Sequence, residues 1–248
     1  MRHESAEAVS LWGALATHAG SLRLPLTALG SLRASSSPSR SSLRMTPCKQ
    51  IKRMRVIAGK FRSRPLQSLR GIDIRPTSDR LRETLFNVVC AGNPGALEGT
   101  VWYDLFAGTG AVGIEALSRG AGQVNFVESS GRAAGLIEKN LRTLGIENGF
   151  QVMKLDVLAA LRKLQAGSLM ADFFFLDPPY RMKDAYAQTL QMLSGSPALK
   201  ATSVVIAEHD RKFDPGGEIG QLRRYRKLEQ GDAALSFYKL VHSVRNRG

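Results

Sequence analysis

Asp104-Leu105-Phe106-Ala107-Gly108-Thr109-Gly110 follows the apolar residues Val101-Trp102-Tyr103 and runs into the helix-like stretch Ala111 to Ser118. It reads as a strand giving way to a helix through a glycine turn. Glycines there let the backbone turn tightly and approach a ligand, whose polar groups meet the free N–H groups of the helix start. Gly108, Gly110 and Gly113 also spell GxGxxG, and Glu128 lies at the distance where a dinucleotide-binding fold places its ribose ligand. The turn alone therefore fits a nicotinamide dehydrogenase, or an ordinary strand–helix junction with no ligand.

Moving outward, strands and helices alternate, as in a parallel sheet covered on both sides. Strands are expected at Val101 to Phe106, Gln123 to Glu128, Phe150 to Leu155, Asp172 to Leu176 and Ser203 to Glu208. Helices fit between them at Ala111 to Ser118, Ala133 to Leu144, Val157 to Leu164 and Ala185 to Leu193. Leu222 to Glu229, Gly231-Asp232 and Ala234 to Val241 read as a closing antiparallel hairpin. This order sets Asp104, Glu128 and Asp156 at the ends of three successive strands, along one crevice. A carboxylate at Asp104 opposes a pyrophosphate and suits an ammonium group. S-adenosylmethionine has an ammonium, a sulfonium and no phosphate. The expected cofactor contacts are Asp104, Phe106, Gly108 and Gly110 in the loop, Glu128 on ribose hydroxyls and Asp156 on the adenine amino group.

The run Phe173-Phe174-Phe175-Leu176 delivers Asp177-Pro178-Pro179-Tyr180 to the same edge. The nitrogen of an aromatic amine is a poor nucleophile because its lone pair is delocalised into the ring. Two acceptors aimed at its N–H bonds, the Asp177 carboxylate and the Pro178 carbonyl, would pyramidalise it toward a methyl donor. Pro178 and Pro179 stiffen the turn by fixing φ, and Tyr180 offers a face for an unstacked base. Catalysis here is expected to be mostly positioning. The bland alternative is a proline-stiffened turn.

The formal charge of +14 predicts attraction to a polyanion. Residues 1–53 carry +6 of it, leaving +8 on the rest, so the body is basic in its own right. Residues 1–53 are Ser- and Arg-rich with no acid after Glu7, which fits an organellar transit peptide, a disordered basic arm, or translation starting at Met54. Residues 54–95 read as a basic β/helix lobe. Arg55, Lys60, Arg62, Arg64 and Arg70 cross a short β element, and Thr77 or Ser78 caps a helix with Leu81, Leu85, Val88 and Val89 on one face. Residues 96–248 form the main domain. Cys48 and Cys90 stand far apart and the four histidines are scattered, so neither a disulfide framework nor a metal site is expected. No apolar run approaches the ~20 residues needed to span a bilayer.

Together these motifs resemble the RsmD-like family, the bacterial small-subunit (16S) rRNA guanine-N2-methyltransferases, over about Met54 to Leu240. The resemblance rests on Arg55 to Arg62, on Arg75-Pro76-Thr77-Ser78-Asp79-Arg80-Leu81-Arg82-Glu83-Thr84-Leu85-Phe86-Asn87, and on the Asp104 and Asp177 loops. The Arg75 stretch is the part most particular to the family. The resemblance implies an α/β, Rossmann-like class I methyltransferase fold, with a seven-stranded, mostly parallel sheet and a C-terminal antiparallel hairpin. It implies S-adenosyl-L-methionine as donor and one guanine 2-amino group as acceptor. It places Arg75, Thr77, Arg80 and Glu83 beside the target pocket. The basic lobe then suggests Arg55, Lys60, Arg62, Arg64 and Arg70 on RNA phosphates, the alternative being a solvated charged face. Ribosomal RNA is the expected partner, within the assembling small subunit or free, and the cytoplasm the expected compartment. No counterpart exists for residues 1–53, which leaves an organelle open. The rivals are a DNA adenine or cytosine amino-methyltransferase, a protein-glutamine methyltransferase, and an idle RNA-binding assembly factor.

Overall fold

The computed structural model describes residues 54–68, 77–167 and 170–241. These belong to one compact unit within residues 50–248, so the reading of residues 1–53 lies outside the described residues. The elements are α1 (Asp79–Val89), β1 (Val101–Leu105), α2 (Ala111–Ser118), β2 (Gln123–Val127), α3 (Gly131–Leu144), β3 (Phe150–Met153) and α4 (Val157–Gln165). They continue with β4 (Ala171–Leu176), α5 (Lys183–Ser194), β5 (Leu199–Asp210), β6 (Glu218–Ile219), β7 (Leu222–Gln230) and β8 (Ala233–Leu240).

One sheet holds all eight strands in the order β3-β2-β1-β4-β5-β8-β7-β6. The first five run parallel, β8 pairs antiparallel with β5, and β7 pairs antiparallel with β8. The fold is Rossmann-like, with the C-terminal hairpin at Leu222–Gln230 and Ala233–Leu240. An eighth strand joins the expected seven: Glu218–Ile219, two residues paired to Arg223 and Leu222, too short to leave a periodic trace. Strand β5 also begins four residues earlier than its apolar run, because the sheet recruits Leu199–Thr202 across an irregularity opposite Ala171/Phe173.

The central strands are buried on both faces. Trp102, Phe126, Phe175, Ile206 and Phe237 belong to one cluster, together with Leu81, Leu85 and Phe86 of α1 and Met54, Val56 and Leu66 of the N-terminal segment. Tyr103, Leu105, Phe174, Leu176 and Tyr238 belong to the other, packed with Val157, Leu161, Tyr186 and Leu190 of α4 and α5. Successive strand residues thus supply opposite faces, which accounts for the uninterrupted apolar reading of β4. Rings stack across strands, Trp102 on Phe173 at 5.1 Å and Tyr103 on Phe174 at 5.2 Å.

Ser78 caps α1 by accepting from the Leu81 N–H. The expected apolar face of α1 packs on the core, Leu81 and Leu85 fully and Val88 and Val89 partly buried, and Arg82 and Phe86 widen it. Arg82 is fully buried because its guanidinium bonds Asp79 (2.7 Å) and the Arg55 carbonyl (2.8 Å). No helix among the described residues is long and apolar enough to cross a membrane.

Candidate active site

Strand β1 lies between β2 and β4, and the chain leaves it toward β2 while β4 arrives on its other side. That is a topological switch point, where loops at the carboxyl edge part and leave a crevice. Asp104 pairs with Phe175 and Leu105 with Leu176, so Phe106 and Asp177 leave neighbouring parallel strands at one level. Such strands lie ~4.8 Å apart, so the glycine loop and the Asp177 loop start side by side.

In the glycine loop, the Phe106 and Ala107 N–H groups both donate to the Val127 carbonyl, and the Gly110 N–H to the Ala107 carbonyl at 2.7 Å. Phe106 is held at φ +80°, strained for a bulky side chain and at home in a ligand-shaping loop. Gly110 caps α2 at φ +77°, where a Cβ would also press on Ile137 at 3.1 Å. At Gly113 the need is space: a Cβ would lie 2.3 Å from the Phe126 ring, so helix and sheet approach closely only with glycine.

The Asp104 carboxylate is buried and accepts from the Gly113 N–H at 2.9 Å. Burial, with Glu128 and Glu208 nearby, pushes its pKa up to about 7 against that hydrogen bond. Glu128 accepts from the Gly108 N–H (2.8 Å) and the Ser130 N–H (2.7 Å), tying the glycine loop to the end of β2. Asp156 is exposed and caps α4 through the Leu158 and Ala159 N–H groups. Each of the three carboxylates therefore holds backbone at the carboxyl edge of the sheet.

In the second loop Asp177 and Tyr180 are half-buried, Pro178 buried and Pro179 exposed. The Tyr186 hydroxyl donates to the Glu208 carbonyl at 2.9 Å and lies 3.4 Å from the Pro178 carbonyl, joining the ends of β4 and β5. Burial, with the Asp177 carboxylate near, raises the Tyr186 phenol above its ordinary range, so it stays a donor.

Glu208 is a buried acid near Asp104 that strand periodicity conceals. Its carboxylate is buried near the end of β5 and accepts from the Thr77 hydroxyl at 2.9 Å, which ties Thr77 to that strand. The signal was present: Glu208 is a strand-end acid, like Asp104, Glu128 and Asp156. Arg80 is exposed on α1. Arg75 and Arg70 lie outside the described residues.

The basic N-terminal segment docks on α2. Buried Glu115 accepts from the Ile57 and Ala58 N–H groups (2.7 and 2.9 Å) and from Arg119 (2.7 Å). Ser118 takes the Phe61 N–H, and buried Asn140 joins Gln67 to the Thr109 carbonyl of the glycine loop. None of these polar residues carries a sequence signal, because their partners are backbone groups distant along the chain. A polar groove of about 420 Å³ runs beside α1, lined by Arg55, Arg62, Glu83, Asn87 and Arg119 among others. Arg64 points elsewhere, donating to the Thr143 carbonyl at the end of α3. Among the described residues no cluster of His, Cys, Asp and Glu is arranged to hold a metal ion.

Known proteins resemble this chain in sequence and in fold. YlbH of Bacillus subtilis is 34% identical over 186 residues, covering 75% of this chain and 98% of its own. Ribosomal RNA small subunit methyltransferase D of Haemophilus influenzae is 35% identical over 159 residues, 64% of this chain and 79% of its own. Among solved structures, yhhF of Escherichia coli superposes with a TM-score of 0.63 at 26% identity, covering 76% of this chain and 98% of its own. An RNA methyltransferase of Salinibacter ruber in complex with S-adenosyl-L-homocysteine shares the fold at a TM-score of 0.50 and 13% identity, over 69% of this chain and 97% of its own. Residues 54–239 match the family described as conserved hypothetical protein 95, and with the relatives above this shows that the chain belongs to that RsmD-like family.

Proposed function

We propose that this protein transfers a methyl group from S-adenosyl-L-methionine to the exocyclic N2 amino group of a guanine in small-subunit ribosomal RNA. The observation that carries the reading is the adjacency of the two loops: β1 and β4 present Phe106 to Gly110 and Asp177 to Tyr180 side by side at the switch point. The methyltransferase D relative bears the rRNA substrate in its name, and the Salinibacter structure holds the demethylated cofactor.

The residues present fit that cofactor. Asp104, buried among Glu128 and Glu208, is an acid whose ionisation a neighbouring cation would favour. The Asp104 carboxylate at the head of the glycine loop opposes a pyrophosphate and suits an ammonium group, which favours an amino-acid end. Asp104 with Gly108 and Gly110 would hold the methionine end, Glu128 the ribose through the lone pairs its backbone bonds leave, and Asp156 the adenine. Phe106 would wall the pocket. When bound, the cofactor supplies an electrophilic methyl group on sulfonium sulfur.

The Asp177 carboxylate and Pro178 carbonyl accept from the two N–H bonds of the target amine, turning its lone pair toward that methyl group. Tyr186 keeps the Pro178 turn against β5. Methyl transfer would leave a neutral thioether, and Asp177 or water would take the proton that the amine releases. Tyr180 stacks on the extruded base. Thr77 and Arg80, with Arg75, flank the base, while Arg62 and its neighbours meet phosphates. Arg64 contributes less than Arg62, since it is engaged at the end of α3. A ribosomal substrate makes the cytoplasm the expected compartment and the assembling subunit a fitting form of the RNA.

Deleting the gene and mapping small-subunit rRNA nucleosides by mass spectrometry tests the reading. One N2-methylguanosine should disappear and return on complementation, and an unchanged nucleoside map refutes the assignment. Asp177→Ala should lower the transfer rate at least a hundredfold while cofactor affinity by calorimetry stays within about twofold. A variant that keeps its rate removes Asp177 from the chemistry.

A further inference from the structure

Strand β5 ends at Asp210, and the next residues fold into a tight turn. The Asp210 carboxylate accepts the Lys212 N–H at 2.8 Å, and its carbonyl accepts the Phe213 N–H at 3.0 Å. This sets the Phe213 ring 5.1 Å from Tyr186, whose own position is fixed by its hydrogen bond to the Glu208 carbonyl. Lys183, from the first turn of α5, has its ammonium 5.8 Å from the Phe213 ring centre. Between these groups and Tyr180 lies a cavity of about 140 Å³, lined by Tyr180, Lys183, Tyr186, Asp210, Lys212 and Phe213.

The cavity shares Tyr180 with the proposed amine site, but Asp177 and Pro178 are not among its lining residues. It is smaller than the ~300–1,000 Å³ of a self-sufficient small-molecule pocket, so it suits one part of a ligand anchored elsewhere. Its chemistry is aromatic faces beside two exposed ammonium groups, with Asp210 the one carboxylate on its wall, half-occupied by the Lys212 backbone. Aromatic faces with Lys at their rim are how proteins hold single-stranded nucleic acid: bases stack and phosphates meet cations.

We infer that this cavity receives the nucleotide adjacent to the target guanine in the same RNA strand, its base against Phe213 and Tyr180 and its phosphate at Lys183 and Lys212. The inference rests on the proposed function. A target base held at Asp177 to Tyr180 drags its covalently attached neighbour to within one nucleotide of Tyr180, so the strand itself delivers the occupant. Binding of the neighbour would help keep the target unstacked and would make the enzyme sensitive to what flanks the guanine.

The test uses the full chain and small-subunit rRNA, free or carrying its proteins, whichever the wild type methylates. Phe213→Leu should raise KM for RNA about tenfold, the effect of losing one base–aromatic stack, with kcat at saturating RNA and cofactor affinity unchanged. Lys183→Ala with Lys212→Ala, both at exposed positions, should raise KM and lower the slope of log KM against log salt by about one to two. RNAs with an abasic site immediately 5′ or 3′ of the target guanine identify the occupant. One of them should raise KM for the wild type, and its penalty should vanish in Phe213→Leu. Unchanged KM in both variants, or an abasic penalty identical in wild type and Phe213→Leu, overturns the inference. A wild type that methylates no ribosomal RNA overturns the parent reading instead, so the two failures are distinct.

Discussion

At the scale of single residues, Asp104 joins stability to ligand binding. Its pKa rises from the ordinary carboxylate value to about 7 because the ionised form is desolvated. A raised acid favours the folded state below its unfolded pKa, and that contribution is lost as pH climbs through the folded value. The unliganded protein should therefore lose stability between about pH 4 and pH 7 on account of this group. A cationic ligand beside Asp104 has the opposite preference, so cofactor affinity should increase as pH rises through about 7. Asp104→Asn keeps an oxygen for the Gly113 N–H yet removes the charge. We expect it to raise the melting temperature at pH 8 by a few degrees, to weaken cofactor binding, and to flatten that pH profile. Calorimetry of binding from pH 5.5 to 8.5 checks this, and an unaltered profile rejects it. Glu128 and Asp156 likewise hold backbone N–H groups at strand ends.

Among elements, the junction between the N-terminal segment and α2 is the most exposed to a single change. Glu115 is fully buried, and its carboxylate satisfies two backbone N–H groups and Arg119 at once. Glu115→Ala leaves all three donors without that acceptor, and charged or backbone groups so stranded cost ~1–3 kcal/mol each. We expect a loss of about 3 kcal/mol, seen as a melting temperature lower by roughly 6–12 °C for a protein of this size. Fast hydrogen exchange at Ile57 and Ala58 should accompany it, while β4 and β5 amides stay protected. Glu115→Gln retains one acceptor and should fall between. Because Asn140 links this segment to Thr109 of the glycine loop, the alanine variant should also weaken cofactor binding.

For the molecule as a whole, the positive balance outside residues 1–53 predicts attraction to a polyanion, with a salt signature. Lys60 and Arg62 are exposed on the turn of the N-terminal segment, and Arg62 lines the groove beside α1. Reversing both charges should weaken RNA binding severalfold at 0.15 M salt. It should also reduce the slope of log Kd against log salt by about two, leaving cofactor affinity intact. Arg64 is a poorer choice, since its bond to Thr143 confounds binding with stability. Filter binding across a salt series decides the matter, and an unaltered slope places RNA on another face.

What the chain's local pattern settled was the succession of elements and the two loops. The Phe173 to Leu176 run, the glycines at 108 and 110 and the prolines at 178 and 179 act on their own stretch of backbone, so spacing suffices to read them. Tertiary structure decided the rest: that Arg82 enters the core beside Leu81 and Leu85, that Glu208 lies buried near Asp104, that Tyr186 ties two strand ends, and that Lys212 and Phe213 wall a cavity beside Tyr180. The physical reason is that a polar group's burial and ionisation depend on partners supplied by distant segments. Those partners acquire positions only when the sheet assembles, and no periodicity along the chain records them.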